Sequence, residues 1–188
     1  LNVLNIYHKN NLVPFGEFLP FEEFFKNIGF RSITNGYKSF SRSKLRESIK
    51  IENKIFNFIF LPLICYEIIY SGNLNKKNEY DLIINISEDG WFGNSIGPHQ
   101  HFTHSIFRSI EEGKNIFRST NNGISAYVDS NGKVKSTLES TQGSVIEISK
   151  VKRGKLTIFS IYGNKIFFYL LAIYITFIFF INKKEREK

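Results

Sequence analysis

A single cysteine, Cys65, stands in 188 residues, and methionine is absent, even from position 1. One thiol excludes an intrachain disulfide and a cysteine-built zinc site. It leaves the compartment open, because a thiol without a partner also persists in an oxidising one. The missing methionine points to a fragment, a processed chain or a non-standard start. Proline is scarce at 4 residues, two of them within residues 12–20. There is no internal repeat, and no low-complexity tract beyond a Phe/Ile-rich carboxyl end. Phenylalanine is abundant at 20 residues, with plentiful Asn, Ile and Lys. That excess fits an A/T-rich coding sequence, so part of the net charge of +8 is compositional. The rest suits an anionic partner, nucleic acid or membrane head groups. The length allows one sizeable core, hence one globular domain with appendages.

The chain is organised around residues 61–69, Leu-Pro-Leu-Ile-Cys-Tyr-Glu-Ile-Ile. Residues 56–64 are almost wholly apolar over a strand's length, as in a sheet covered on both faces. Cys65 falls at the carboxyl end of that strand, where α/β folds place their chemistry. From the residues alone two readings stay open. Free cysteine is among the most buried residue types, so an inert core thiol is one. A nucleophile beside the polar pair Tyr66 and Glu67 is the other.

Upstream, residues 1–7 alternate like a half-buried strand, and residues 12–20 form a proline-stiffened loop. Lys9 and Glu17 flank that loop, and by spacing alone they read as a solvated surface pair. Residues 21–28 have helical spacing, with Glu22 and Glu23 in the first turn. Residues 31–53 are basic (Arg31, Lys38, Arg42, Lys44, Arg46, Lys50), with Tyr37 and Phe40 available for stacking. Glutamates interrupt the run and no nucleic-acid motif accompanies it. A surface loop and hairpin is expected there, with no nucleic-acid partner.

Residues 82–87 form a second apolar strand, ending in Glu88-Asp89-Gly90-Trp91-Phe92-Gly93. Two interior strands ending in polar loops imply an open sheet with a site along one edge. Gly97-Pro98 then opens a helix to about Lys114, with Phe102, Ile106, Phe107 and Ile110 on one face. His101 and His104 lie one helical turn apart on it, behind His99. No acidic or cysteine ligand joins them at a recognised spacing, so no metal is expected. Bonding of a histidine to a neighbouring loop or helix start is preferred. Further strands are predicted at 116–119, 124–128, 134–138 and 145–148, the middle two as a hairpin around Asn131-Gly132. Residues 166–181 carry no charge and would span roughly 24 Å, against a hydrocarbon core of about 30 Å. Residues 161–164 and a snorkelling Lys165 complete a transmembrane span. Four cations in residues 182–188 predict a cytoplasmic carboxyl end, with the globular part on the other side.

Taken together these stretches resemble the second half of a nitrilase (carbon–nitrogen hydrolase) superfamily domain, and within it the bacterial apolipoprotein N-acyltransferases. The resemblance rests on Tyr7-His8-Lys9 through Val13-Pro14-Phe15-Gly16-Glu17, on Phe40-Ser41-Arg42 and on Ile64-Cys65-Tyr66-Glu67. It continues with Asn85 to Gly93, Ser95-Ile96-Gly97-Pro98, Gln100-His101-Phe102, residues 118–126 and Gly163-Asn164. Glu88-Asp89-Gly90 departs from the family's usual Asn-Asp-Ala.

The resemblance implies an α/β fold: part of a four-layer α-β-β-α sandwich over residues 1–160, then a transmembrane helix and basic tail over 161–188. It implies a Glu-Lys-Cys triad, with Cys65 as nucleophile and Lys9 as the family lysine. Lys9 would depress the thiol's pKa and, with the Tyr66 N–H, stabilise an oxyanion. Glu17 matches a second glutamate near that lysine, and Tyr66 and Glu67 match residues required beside the nucleophile. The general-base glutamate lies upstream in the family, before this chain starts, so a separate amino-terminal fragment is an expected partner. No cofactor is implied. The implied activity is transfer of an acyl chain from a phospholipid, through a Cys65 thioester, to the amino-terminal amine of a diacylglyceryl-cysteine lipoprotein. The expected location is the bacterial inner membrane, with the domain on the periplasmic side. The alternatives are an inactive membrane-anchored remnant and a soluble carbon–nitrogen hydrolase using water.

Overall fold

A computed structural model describes residues 3–28, 39–55, 57–72, 74–75, 79–139, 145–148 and 151–186. Helix α1 (Glu22–Asn27) precedes strands β1 (Ile49–Glu52), β2 (Asn57–Ile64) and β3 (Leu82–Glu88). Helix α2 (Gly97–Glu112), strands β4 (Asn115–Asn121), β5 (Ile124–Val128) and β6 (Val134–Glu139), and helices α3 (Ile158–Tyr162) and α4 (Lys165–Arg186) follow. The strands form one mixed sheet in sequence order. β2, β3 and β4 run parallel, while β1, β5 and β6 are added antiparallel.

The parallel centre follows from the two apolar runs and from helix α2 between β3 and β4, which returns the chain to the same end of the sheet. Pro62 would be unwelcome in a strand paired on both sides. Pairing with β1 ends at Phe60, so β2 is locally an edge at Pro62 and a missing N–H is tolerated. Across the sheet, Leu61, Ile83, Ile116 and Val128 stand in register and are fully buried. Phe102 and Ile106 of α2 pack onto that cluster. The next row on the same face is Leu63, Asn85, Arg118 and Ala126, so its two middle positions are polar. α2 ends at Gly113, whose φ of 62° is the left-handed cap geometry glycine favours.

Several expectations change. Residues 3–7 and 145–148 carry no strand; residues 1 and 2 lie outside the described set. The basic run is only partly described, since Arg31, Tyr37 and Lys38 lie outside the described residues. Its later part forms the β1–β2 hairpin as predicted. The apolar carboxyl segment is helix α4, long and apolar enough to cross a membrane by length and composition.

Candidate functional site

β2 and β3 deliver their carboxyl ends side by side, Ile64 opposite Ile86. The next residue, Cys65, has φ 50°, a left-handed conformation that is uncommon for anything but glycine. The chain reverses there into a 3-10 turn, Cys65–Ile69. Such a turn at a strand end projects its side chain from the sheet edge, and strained backbone of this kind concentrates at functional sites. Cys65 is half-buried. It lines a cavity of about 950 Å³ together with Lys9, Glu17 and Tyr66. Much of the rest of the wall is apolar, including Val13, Phe40, Ile69, Ile86 and Trp91.

Lys9 donates to both carboxylate oxygens of Glu17, at 2.7 and 2.8 Å. Glu17 also accepts from the Val13 N–H at 2.9 Å. The spacing-based reading as a solvated surface pair is therefore corrected: the Lys9 side chain is only 11% exposed. The proline loop folds back on itself through Glu17 N–H to Val13 C=O, and this brings position 17 beside position 9. Tyr66 packs edge-on against Tyr70, with ring centres 5.6 Å apart. Burial, then Tyr70, raises its phenol above the usual range.

Glu67 is not part of the cavity wall. It is fully buried. Its carboxylate accepts from the backbone N–H groups of Asn10 (2.8 Å), Asn11 (3.1 Å) and Ile64 (2.9 Å), and from the Tyr7 hydroxyl. Arg46 approaches it at 3.8 Å. Burial, and then Glu67, keep Tyr7 protonated far above its ordinary range. Glu67 thus joins the segment carrying Lys9 to the turn carrying Cys65.

A second set of residues lies in the matched stretches but was given no role there. Asp89, beyond β3, accepts from His101 Nδ1 (2.8 Å), Ser87 Oγ (2.8 Å) and Arg118 Nη2 (2.7 Å). Arg118 also donates to Asn85, which bonds the Leu63 carbonyl at 3.0 Å. The chain of bonds links strands β2, β3 and β4 to the turn that begins at Asp89. Burial pushes the Arg118 guanidinium below the usual arginine range, while Asp89 and, less strongly, Cys65 pull it back. The available sequence signal was position: Asn85 and Arg118 occupy inward-facing sites on apolar strands, where a polar residue needs a partner.

Burial would raise the Asp89 carboxyl, but the His101 hydrogen bond and the Arg118 charge hold it below the ordinary carboxylate range. Such a group stabilises the fold above its unfolded value of about 3.9, and the effect is lost as pH falls through the lower folded value. The stability gap between the protein and Asp89→Asn is therefore expected to be widest above about pH 5 and to narrow below about pH 4. Urea unfolding across that range measures it, and a pH-independent gap would remove the charge from the account. Gly123 is required beside this carboxylate, because a Cβ there would lie 2.3 Å from Asp89 Oδ2.

The sheet, the strand-end thiol and the lysine–glutamate pair define a class. Residues 2–156 match the carbon-nitrogen hydrolase family model, and the chain belongs to that family. Among curated relatives it is similar to proteins named apolipoprotein N-acyltransferase. One, from Wigglesworthia glossinidia brevipalpis, is 43% identical over 143 residues, covering 73% of this chain and 27% of the relative. Another, from Rickettsia prowazekii, is 39% identical over 175 residues, covering 92% of this chain and 34% of the relative. The chain thus spans about a third or less of these relatives' length. Among solved structures, an amidase from Nesterenkonia sp. aligns with TM-score 0.42 at 13% identity, covering 56% of this chain and 41% of the amidase.

Proposed function

We propose that this chain is the carboxyl-terminal part of a membrane N-acyltransferase, with Cys65 as its nucleophile. The Cys65 thiolate attacks the ester carbonyl of a phospholipid, the C–S bond forms, and the glyceryl oxygen departs. The amine of a diacylglyceryl-cysteine lipoprotein then displaces the thiolate. Lys9 and the Tyr66 N–H stabilise the oxyanion in both steps, and Glu17 holds the lysine in place. The observation that carries this reading is the single cavity that Lys9, Glu17, Cys65 and Tyr66 share, with the thiol on a strained strand-end turn. No cofactor enters the scheme.

Two further features support it. The cavity's apolar wall suits an acyl chain. Helix α4 exposes its apolar residues on all sides, at a mean hydropathy of 2.0 over Lys165–Lys183. Its 22 residues extend about 33 Å, enough to cross a bilayer. We place the domain over residues 1–160 and the span and tail over 161–188, with the tail cytoplasmic by its positive charge. A soluble hydrolase has no use for such a helix. The half-exposed apolar residues Ile84, Ile86 and Phe117 on the sheet face away from the main core are what the second sheet of a four-layer sandwich would cover.

The test uses the natural full-length protein in vesicles of phospholipid with a labelled acyl chain. Label is expected on the Cys65 peptide, cleavable by neutral hydroxylamine, and then on the amine of a diacylglyceryl-cysteine peptide. Label on another residue, or fatty acid released to water without transfer, would overturn the reading.

A further inference from the structure

One charged side chain on the wall of the Cys65 cavity takes no part in the chemistry above. Glu88 lines that cavity and is exposed. It is the last residue of β3, two positions beyond Ile86, which stands opposite Ile64 where the thiol's turn begins. Alternation along the strand puts Ile86 and Glu88 on the same face, and two residues of strand advance about 6.6 Å past that row. Ile64 and Ile86 line the same cavity. The carboxylate is held in place. Oε1 accepts from the Gly90 N–H at 2.8 Å, and Oε2 accepts from the side-chain amide of Asn121, the register partner of Glu88 on β4. Gly90 leaves it the room, because a Cβ there would lie 2.5 Å from Oε1. Each oxygen keeps a further lone pair. The other carboxylate of the wall, Glu17, has both oxygens on Lys9. Glu88 forms no ion pair among the described residues. An oriented carboxylate with no cation of its own, on a wall that is largely apolar, is an acceptor for a cationic group entering the cavity.

Resting on the acyl-transfer reading above, we propose that Glu88 is a specificity-determining residue that receives a substrate's primary ammonium group in this cavity. Two molecules can bring that group. One is a donor phospholipid with an ethanolamine head. The other is the acceptor, whose amine has an ordinary pKa of about 7.7–8.0 and so arrives largely protonated at neutral pH. The chemistry is shared: a compact cation with three N–H donors meets a carboxylate oxygen with a lone pair to spare. No bond is made or broken at Glu88. It binds, and the reacting atoms remain those at Cys65. A glycerol head group has no cation to offer, so Glu88 gives such a donor no advantage.

The test uses the full-length protein and Glu88→Gln, which keeps an oxygen for the Gly90 N–H and removes the charge; Asn121 can meet the new amide by turning its own. Donors with a labelled acyl chain and either an ethanolamine or a glycerol head group are carried in vesicles of ether-linked choline phospholipid, which has no ester to give. Loading is read as hydroxylamine-cleavable label on Cys65. In a second arm, protein loaded from the glycerol donor is discharged by a diacylglyceryl-cysteine peptide or by hydroxylamine, which is uncharged at neutral pH. Loss of one charge-assisted hydrogen bond is expected to raise the KM of the ammonium-bearing molecule by about 10-fold, with the glycerol donor and hydroxylamine unaffected. A rise for the ethanolamine donor assigns the site to the donor's head group, and a rise for the peptide assigns it to the acceptor; either supports the proposal. An equal loss with both donors and both discharges, or no loss anywhere, makes Glu88 a structural or merely solvated residue and overturns it. Should Glu88→Gln fail to load from either donor, Gly90→Ala takes its place, since its methyl group displaces the carboxylate without removing the charge, and the same outcomes decide. Absence of thioester in the unsubstituted protein would overturn the acyl-transfer reading itself, and this proposal with it.

Discussion

Replacing Cys65 with glycine is expected to erase acyl transfer, by about 10⁴-fold or more, while making the fold more stable than the corresponding alanine variant. The two effects have one origin. At φ 50° a side chain at position 65 sits in the left-handed region, where a Cβ crowds the following carbonyl at a cost of about 1–2 kcal/mol. Glycine relieves that strain and loses about 0.5–1 kcal/mol through the freedom it regains in the unfolded chain. Cys65→Gly should therefore exceed Cys65→Ala by about 0.5–1 kcal/mol in unfolding free energy, since both lack the sulfur and only alanine keeps the Cβ. Urea unfolding of the two variants measures the difference, and labelled-lipid transfer measures the activity. Equal stability would mean that the turn stores no strain. Residual transfer in either variant would remove the thiol from the chemistry.

The positive φ could not be read from the sequence, because nothing distinguishes Ile64-Cys65-Tyr66 from an ordinary strand end until the backbone is traced. The strand itself was legible. Residues 57–64 and 82–88 are apolar runs bounded by polar loops, and α2 carries its Phe102 and Ile106 at helical spacing, so both periods were plain. The segments 3–7 and 145–148 have the same alternation but form no strand in the sheet. Pairing is a property of the sheet and not of the segment. Within the site, Lys9, Glu17, Cys65 and Tyr66 were found through local motif, and they meet in one cavity. Asn85 and Asp89 lie four residues apart in one matched stretch, but Arg118 comes from β4, about thirty residues on, so the motifs could not announce that the three meet. His101 was visible as a histidine suited to bonding a neighbouring loop, and its partner proved to be Asp89. What the sequence withheld was that its other nitrogen is left without a protein partner among the described residues.

The same distinction applies to Glu67, which motif matching places beside the nucleophile and geometry places behind it. Glu67→Ala is expected to cost about 3–5 kcal/mol, the range for removing one member of a buried charge network. Three backbone N–H groups, of Asn10, Asn11 and Ile64, would lose their acceptor, and Arg46 would lose the carboxylate it faces. Each unmade bond carries a penalty of about 1–3 kcal/mol, partly recovered if water enters. Glu67→Gln retains one acceptor oxygen but turns an amide N–H₂ toward donors, so its loss should be smaller, about 1–3 kcal/mol. The consequence for function follows from where those N–H groups lie. Asn10 and Asn11 immediately follow Lys9, and Ile64 immediately precedes Cys65, so this one carboxylate ties the segment carrying the ammonium to the turn carrying the thiol. A displacement of about 1 Å in such a pair is enough to slow a reaction about 100-fold. Measured per folded molecule at a temperature where Glu67→Gln remains native, acyl transfer should fall by that order while Cys65 stays open to alkylation. If transfer per folded molecule were unchanged, the buried carboxylate would serve stability alone, and the placement of Lys9 against Cys65 would have to come from the Lys9–Glu17 loop.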